Sequence, residues 1–144
     1  MTMTKGIYYI GDLCYVLNSR SWDETFELCF PNYPDKRNER IEGEMQLKDG
    51  RKFAIFGTAH GDGVYAAIGM FSGLKEEYNI GVDSGSIGCI KVEDVDLPQG
   101  LYNGALVKLD DFNPYSTKGN MNFGGLEVFT RILEEKPIPE VLAS

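Results

Sequence analysis

The chain has 144 residues and a formal net charge of −8 at pH 7. This length suits one domain, spanning residues 1–144, that buries roughly 70% of its unfolded surface. The acidic charge repels nucleic-acid polymers and anionic membranes, so we expect neither as the main partner. A small nucleotide stays open as a partner because backbone N–H groups can hold a phosphate locally.

The cysteines and the N-terminus indicate a reducing environment. Cys14, Cys29 and Cys89 form no Cys-x-x-Cys pair, the first residues lack an apolar signal region, and no apolar run approaches the ~20 residues of a membrane helix. We therefore expect free thiols and a cytoplasmic location. One histidine and three scattered cysteines do not make a typical zinc ligand set, and no cofactor is expected.

The first third of the chain predicts two extended segments and the main helix. Residues 7–10 and 13–17 read as extended, and residues 19–30 as a helix that the two following prolines end. Ser21 and Glu24 have the spacing of a capping box at its start. The side chains that we expect on its core-facing stripe are Trp22, Phe26, Cys29 and Phe30.

The rest of the chain predicts short strands. Asp49-Gly50 is typical of a hairpin with a type I′ turn between strands at 44–48 and 51–56. Further strands are expected at 64–70, 78–82, 87–92, 103–109 and 126–132, with polar loops at 35–43 and 110–125, a turn at 98–100 and an extended tail from residue 134. The fold class is mainly β (α+β): an antiparallel sandwich or partly open barrel with one packed N-terminal helix.

Three segments rich in glycine and aspartate lie beside these strands, and we call them together the Gly-Asp cluster. They are Gly11-Asp12, Thr-Ala-His-Gly-Asp-Gly at 58–63 and Val-Asp-Ser-Gly-Ser-Ile-Gly at 82–88. Small residues let backbones approach one another or a ligand. We expect the three segments to meet and to deliver their carboxylates to one site.

The same segments resemble those of a family of small phage and bacterial proteins. The matching motifs are Gly-Asp-x-Cys-Tyr-Val from residue 11, a helix with Trp22, Thr-Ala-x-Gly-Asp-Gly-x-Tyr from residue 58 and Val-Asp-Ser-Gly-x-Ile-Gly from residue 82. The resemblance covers about residues 7–92. Leu13 stands where the family pattern has proline, and His60 occupies a variable position. The resemblance implies that the motifs form one unit and that the protein is phage-encoded and works in a host cytoplasm, but it implies no activity.

The favoured function is non-enzymatic binding of a small polar ligand, with a nucleotide as one candidate. Backbone N–H groups, hydroxyls and carboxylates of the cluster would surround the ligand, and tyrosines would stack on a base. The expected ligand-binding residues are Asp12, Tyr15, Thr58, Gly61, Asp62, Tyr65, Asp83, Ser84 and Ser86. A phage protein of this kind could sequester a host signalling nucleotide as a counter-defence, and could do so as a homo-oligomer.

Two other functions stay open. A small hydrolase would use His60 with Asp62 or Asp83, and its nucleophile candidates are Ser84, Ser86 and Cys14. A protein–protein inhibitor would instead use the acidic surface around an exposed apolar patch.

The aspartates of the cluster are its candidate metal ligands. Asp12, Asp62 and Asp83 are hard oxygen ligands of the kind that Mg²⁺ or Ca²⁺ prefers, and such an ion could assist the hydrolase. The competing interpretation is that each aspartate caps its own turn, and no metal is favoured.

Overall fold

The computed structural model describes residues 2–131, in which ten strands form two five-stranded sheets. In chain order they are β1 (Gly6–Gly11), β2 (Gly43–Gln46), β3 (Lys52–Gly57), β4 (Gly63–Phe71), β5 (Leu74–Val82), β6 (Ser86–Lys91), β7 (Ala105–Leu109), β8 (Tyr115–Thr117), β9 (Asn120–Phe123) and β10 (Leu126–Phe129). The first sheet has the order β2-β3-β6-β1-β7, and the second β5-β4-β10-β9-β8. All of the pairs are antiparallel.

The two sheets pack face to face around a shared apolar core. In β7, for example, Ala105, Val107 and Leu109 are buried and alternate with exposed residues, as expected for strands with one face in a core. The largest core side chains include Tyr8 and Ile10 from the first sheet and Ile80, Phe123 and Leu126 from the second. The expected mainly β fold is confirmed, and of the two expected architectures the sandwich is the one observed.

Helix α1 (Ser19–Cys29) packs on the outer face of the first sheet. Its N-cap is Asn18, whose side-chain oxygen accepts a hydrogen bond from the N–H of Ser21 at 2.9 Å. The predicted capping box at Ser21 is therefore wrong, because Ser21 is already the third residue of the helix. Ser21 Oγ instead accepts a hydrogen bond from Arg51 Nη2 at 2.7 Å.

The buried face of α1 is rotated by one position from the predicted stripe. Its buried residues are Ser21, Thr25 and Cys29, while Trp22 is only partly buried and Phe26 is 36% exposed. Small side chains on the inner face allow the helix to lie close to the sheet. Trp22 and Phe30 then pack at the side of the second apolar cluster, which forms around Tyr9, Leu13, Phe53, Ile55 and Ile90.

The β2–β3 hairpin confirms the turn predicted at Asp49-Gly50, but its geometry differs. A type I′ turn needs positive φ at both central residues, whereas of the two only Gly50 has it, at 101°. The N–H of Gly50 donates to the carbonyl of Leu47 at 2.9 Å, and the N–H of Leu47 donates to the carbonyl of Arg51 at 2.9 Å. This is a three-residue loop that ends in a bulge at the glycine.

Two further predictions were wrong. Residues 13–17 were expected to be extended, but Leu13–Tyr15 forms a 3-10 helix capped by Asp12. Residues 110–125 were expected to be a loop, but they contain β8 and β9. The turn at 98–100 belongs to a 3-10 helix, Pro98–Asn103, and residues 31–38 form turns. The tail predicted from residue 134 lies outside the described residues.

No helix within residues 2–131 is both long and apolar enough to cross a membrane.

Candidate functional site at the Gly-Asp cluster

Asp12 is the centre of the cluster and is fully buried at the end of β1. Its Oδ1 accepts hydrogen bonds from Cys14 N at 3.0 Å and Ser84 Oγ at 2.7 Å. Its Oδ2 accepts hydrogen bonds from Asp83 N and Ser84 N, both at 2.7 Å. Four donors match the four acceptor positions of a carboxylate. Asp12 therefore joins the first and third segments, and it would reach a ligand only by giving up one of these bonds.

The two serines of the third segment extend this buried network. Because Ser84 Oγ donates its proton to Asp12, the 2.8 Å contact between Ser84 Oγ and Ser86 Oγ is a hydrogen bond in which Ser86 is the donor. Ser86 is 1% exposed. The proton of Ser84 thus points to a carboxylate, and neither hydroxyl is arranged as an imidazole-activated nucleophile.

Gly88, the last residue of the third segment, is required by close packing. A Cβ atom there would lie 2.3 Å from the carbonyl oxygen of Ala54 and 2.8 Å from Leu13 Cδ1. The glycine thus allows β3 and the turn after Asp12 to approach β6 from two sides.

The second segment is attached to the third by its backbone. Thr58 N donates to the carbonyl of Gly85 at 3.0 Å, and Thr58 Oγ1 donates to the carbonyl of Gly61 at 2.7 Å. Tyr65 is 3% exposed, and its hydroxyl donates to the same Gly61 carbonyl at 2.9 Å. The structure therefore brings the three segments together, as the sequence predicted.

The solvent-facing part of the cluster, which we call the rim, consists of Tyr15, His60, Asp62 and Asp83. Asp62, Asp83 and His60 are exposed, and Tyr15 is partly buried. The Tyr15 hydroxyl donates a short hydrogen bond to Asp83 Oδ2. This bond links the turn after Asp12 to the third segment at the surface, just above the buried carboxylate.

The electrostatics of the cluster oppose ionisation of its weak acids. Burial, the adjacent Asp12 carboxylate and the nearby negative charges of Asp83 and Asp62 all raise the pKa of the Cys14 thiol. The hydrogen bond to Asp83, followed by burial, raises the pKa of the Tyr15 hydroxyl. Cys14 is thus a neutral thiol at physiological pH, whereas a nucleophilic cysteine needs a lowered pKa.

The three predicted metal ligands have different surroundings. The Asp12 carboxylate already binds four donors, and Asp83 binds Tyr15. Among residues 2–131, no group of three or more histidine, cysteine, aspartate or glutamate side chains is placed to hold a metal ion. The alternative interpretation, in which each aspartate caps its own turn, accounts for one of the four contacts of Asp12, the one with Cys14 N, while the other three join it to the third segment.

Two residues of the cluster were missed from the sequence. The Tyr9 hydroxyl donates to the backbone carbonyl of Asp12 at 2.8 Å. Buried Thr130 accepts a hydrogen bond from Ala59 N at 3.0 Å and donates to the carbonyl of Gly119, so it ties the second segment to the second sheet. Thr130 lies far from the motifs in sequence, and no local pattern marks it. Tyr9 lies in a recognisable strand beside Gly11-Asp12, and this position could have identified it from the sequence.

Comparisons of this chain with protein-family models, with curated proteins and with solved structures find no match. The resemblance of residues 7–92 to phage and bacterial proteins therefore stays a prediction.

Proposed function

We propose that this protein is a non-enzymatic binding protein that holds a small polar ligand on the rim of the Gly-Asp cluster. The observation that supports this most is that the cluster has a hydrogen-bonded inner part and a separate exposed part. Ser84 joins buried Asp12 to buried Ser86 through its hydroxyl, while Asp62, Asp83, His60 and Tyr15 are left at the surface. Hydrogen bonds beneath the rim restrict its conformation before a ligand binds. Binding then costs little conformational entropy, and this preorganisation favours affinity.

The chemistry of the rim indicates which part of a nucleotide would face it. Two exposed carboxylates are hydrogen-bond acceptors, and they suit the ribose hydroxyls and the amino groups of a base. Phosphate groups would be repelled by Asp62 and Asp83 and would point to solvent. The partly exposed ring of Tyr15 offers an edge against which a base can pack.

The biological role follows from the family resemblance together with this binding. A phage-encoded protein with such a rim would sequester a host signalling nucleotide in the host cytoplasm and thereby act in counter-defence. Two or more copies of the chain could share a ligand, as a homo-oligomer would allow.

Calorimetric titration with mono-, di- and cyclic dinucleotides tests the proposal, together with mass spectrometry of small molecules released on denaturing the purified protein. We expect Asp83→Asn to weaken binding by at least about tenfold, the equivalent of ~1.4 kcal/mol, with little change in melting temperature. Asp23→Asn, an exposed aspartate on α1, is the matched control and should bind normally. If no nucleotide binds and no small molecule is released, the proposal is wrong.

The hydrolase alternative predicts a different result. It needs an ionisable nucleophile near His60, whereas Cys14 has a raised pKa and Ser84 donates to Asp12. We expect His60→Ala to keep ligand binding within a few-fold. An activity that His60→Ala abolishes while the melting temperature is unchanged would favour the hydrolase instead.

A further inference from the structure

The second sheet has an outer face that no other described element covers. The first sheet has α1 packed on its outer side, whereas the outer side chains of β8, β9, β10 and β4 are exposed or only partly buried. The strand register arranges them in rows across the sheet. One row contains Tyr115, Asn122, Glu127 and Ile68, and the next contains Thr117, Asn120, Phe129 and Ala66.

Two asparagines on this face are held in fixed orientations. Asn120 Oδ1 accepts a hydrogen bond from Arg131 N at 3.0 Å, and Asn122 Oδ1 accepts one from Gly125 N at 3.0 Å. An amide whose oxygen binds a backbone N–H directs its NH₂ group the other way. Both side chains therefore present N–H donors without needing to reorganise for a ligand.

An acceptor and two aromatic rings complete the surface. Glu127 is exposed and lies directly across from Asn122, at the spacing of about 5 Å that cross-strand neighbours have. The ring of Tyr115, 55% exposed, lies on the other side of Asn122, and Phe129 is the neighbour of Asn120. Together with Thr117 these side chains line a cavity of about 170 Å³.

The charge of the cavity restricts the class of ligand. Its lining contains one carboxylate and no lysine or arginine, so an anion such as a phosphate is disfavoured. Amide donors beside a carboxylate acceptor complement a group that both donates and accepts, which a hydroxyl does. The aromatic rings supply flat apolar contact. The cavity is smaller than the roughly 300–1,000 Å³ of sites for drug-sized ligands, which suits one ring rather than a chain.

We propose that this cavity binds one ring of a neutral carbohydrate. Neighbouring rings of the same glycan would lie along the rows of the sheet face. The site is separate from the rim of the Gly-Asp cluster and uses none of its residues, so either proposal can fail without the other.

Nuclear magnetic resonance titration of ¹⁵N-labelled protein with neutral oligosaccharides of glucose, mannose and N-acetylglucosamine tests this site. We expect one of these sugars to shift amide signals of residues 115–129 and to leave those of residues 58–63 and 82–88 in place. The key variant is Asn122→Asp, which keeps the acceptor for Gly125 N but replaces the amide donors. It should weaken binding by at least about fivefold, as expected for one lost hydrogen bond.

The matched control is Asn79→Asp, which makes the same change on the same outer face but on β5, outside the cavity. It should bind within about twofold of the unchanged protein, because it adds the same charge without removing a lining donor. Equal weakening in both variants would show a general charge effect and overturn the proposal. So would the absence of shifts at residues 115–129 with every sugar.

Discussion

Asp12 shows at the scale of a single residue how a motif aspartate stabilises a fold. Its carboxylate is the acceptor for three backbone N–H groups and one hydroxyl. We expect Asp12→Ala to lower the free energy of unfolding by about 3 kcal/mol or more, since several buried donors lose their partner at about 1–3 kcal/mol each. Urea denaturation measures this. Asp62→Ala, at an exposed aspartate, should change it by less than about 0.5 kcal/mol, and equal effects would contradict the assigned role of Asp12.

The Cys14 thiol provides a second prediction at this scale. Cys14 is partly exposed, but burial and the neighbouring aspartates raise its pKa. Because the thiolate is the reactive form, we expect iodoacetamide at pH 8 to modify Cys14 in the folded protein more slowly than it modifies a free cysteine. Mass spectrometry of the time course gives the rate. Denatured protein should react at all three cysteines, and rapid modification of folded Cys14 would contradict the raised pKa.

The sequence predicted features of single residues correctly where they depend on neighbouring residues in the chain. The convergence of Asp12, residues 58–63 and Asp83 follows from glycines at strand ends, and that pattern is visible in the chain. The partners of each carboxylate depend on which strands pair, which a local pattern does not encode. For this reason the role of Thr130 became visible only in the structure.

At the scale of elements, the errors have physical reasons. The sequence of β8 and β9 predicts a loop because their outer residues are asparagine, threonine and tyrosine, although Met121 and Phe123 alternate with them toward the core. The 3-10 turn at Leu13–Tyr15 has strand-like composition, and the side chain of Asp12 overrides that preference. The position of the hairpin at Asp49-Gly50 was correctly predicted because its signal is local, although the turn is not the expected type I′.

Helix α1 gives the prediction for this scale. Its observed cap is Asn18, so we expect Asn18→Ala to lower the free energy of unfolding by about 1 kcal/mol, the usual effect of losing a cap. Asn18→Ser keeps a side-chain oxygen at that position and should recover most of the loss. Urea denaturation of both variants measures the difference. A serine variant as unstable as the alanine variant would show that the side chain of Asn18 does not act as a cap.

Arg51 connects α1, the β2–β3 hairpin and the segment at residues 94–96. It donates to Ser21 Oγ on the helix, to Asp96 Oδ1 and to the carbonyl of Asp94, each at 2.7–2.9 Å, and it pairs with Asp49 in its own hairpin. Its guanidinium therefore lies against the inner face of α1 at Ser21. The Ser21 hydroxyl accepts one of the hydrogen bonds of this guanidinium, while Thr25 Oγ1 donates to the Ser21 carbonyl within the helix.

At the scale of the whole molecule, the buried and partly buried weak acids determine how stability responds to alkaline pH. Burial is the largest cause of the raised pKa of the thiols of Cys14, Cys29 and Cys89. Burial likewise raises the pKa of Tyr8 to about 12 and raises that of Tyr9. All of these groups hold their protons more tightly in the folded chain than in the unfolded one.

The sign of the effect follows from this difference. In the unfolded chain the thiols ionise near pH 9 and the tyrosines near pH 10, whereas in the folded chain they stay protonated. Stability is therefore complete below pH 9 and falls as pH rises, by up to about 1.4 kcal/mol per pH unit for each group that is ionised only in the unfolded state. We expect urea denaturation at pH 8, 9 and 10 to show this fall.

Cys14→Ala removes one of the three thiols and should make the slope between pH 9 and 10 visibly shallower, whatever its effect at pH 8. Identical slopes in the two proteins would show that Cys14 titrates alike in the folded and unfolded chains.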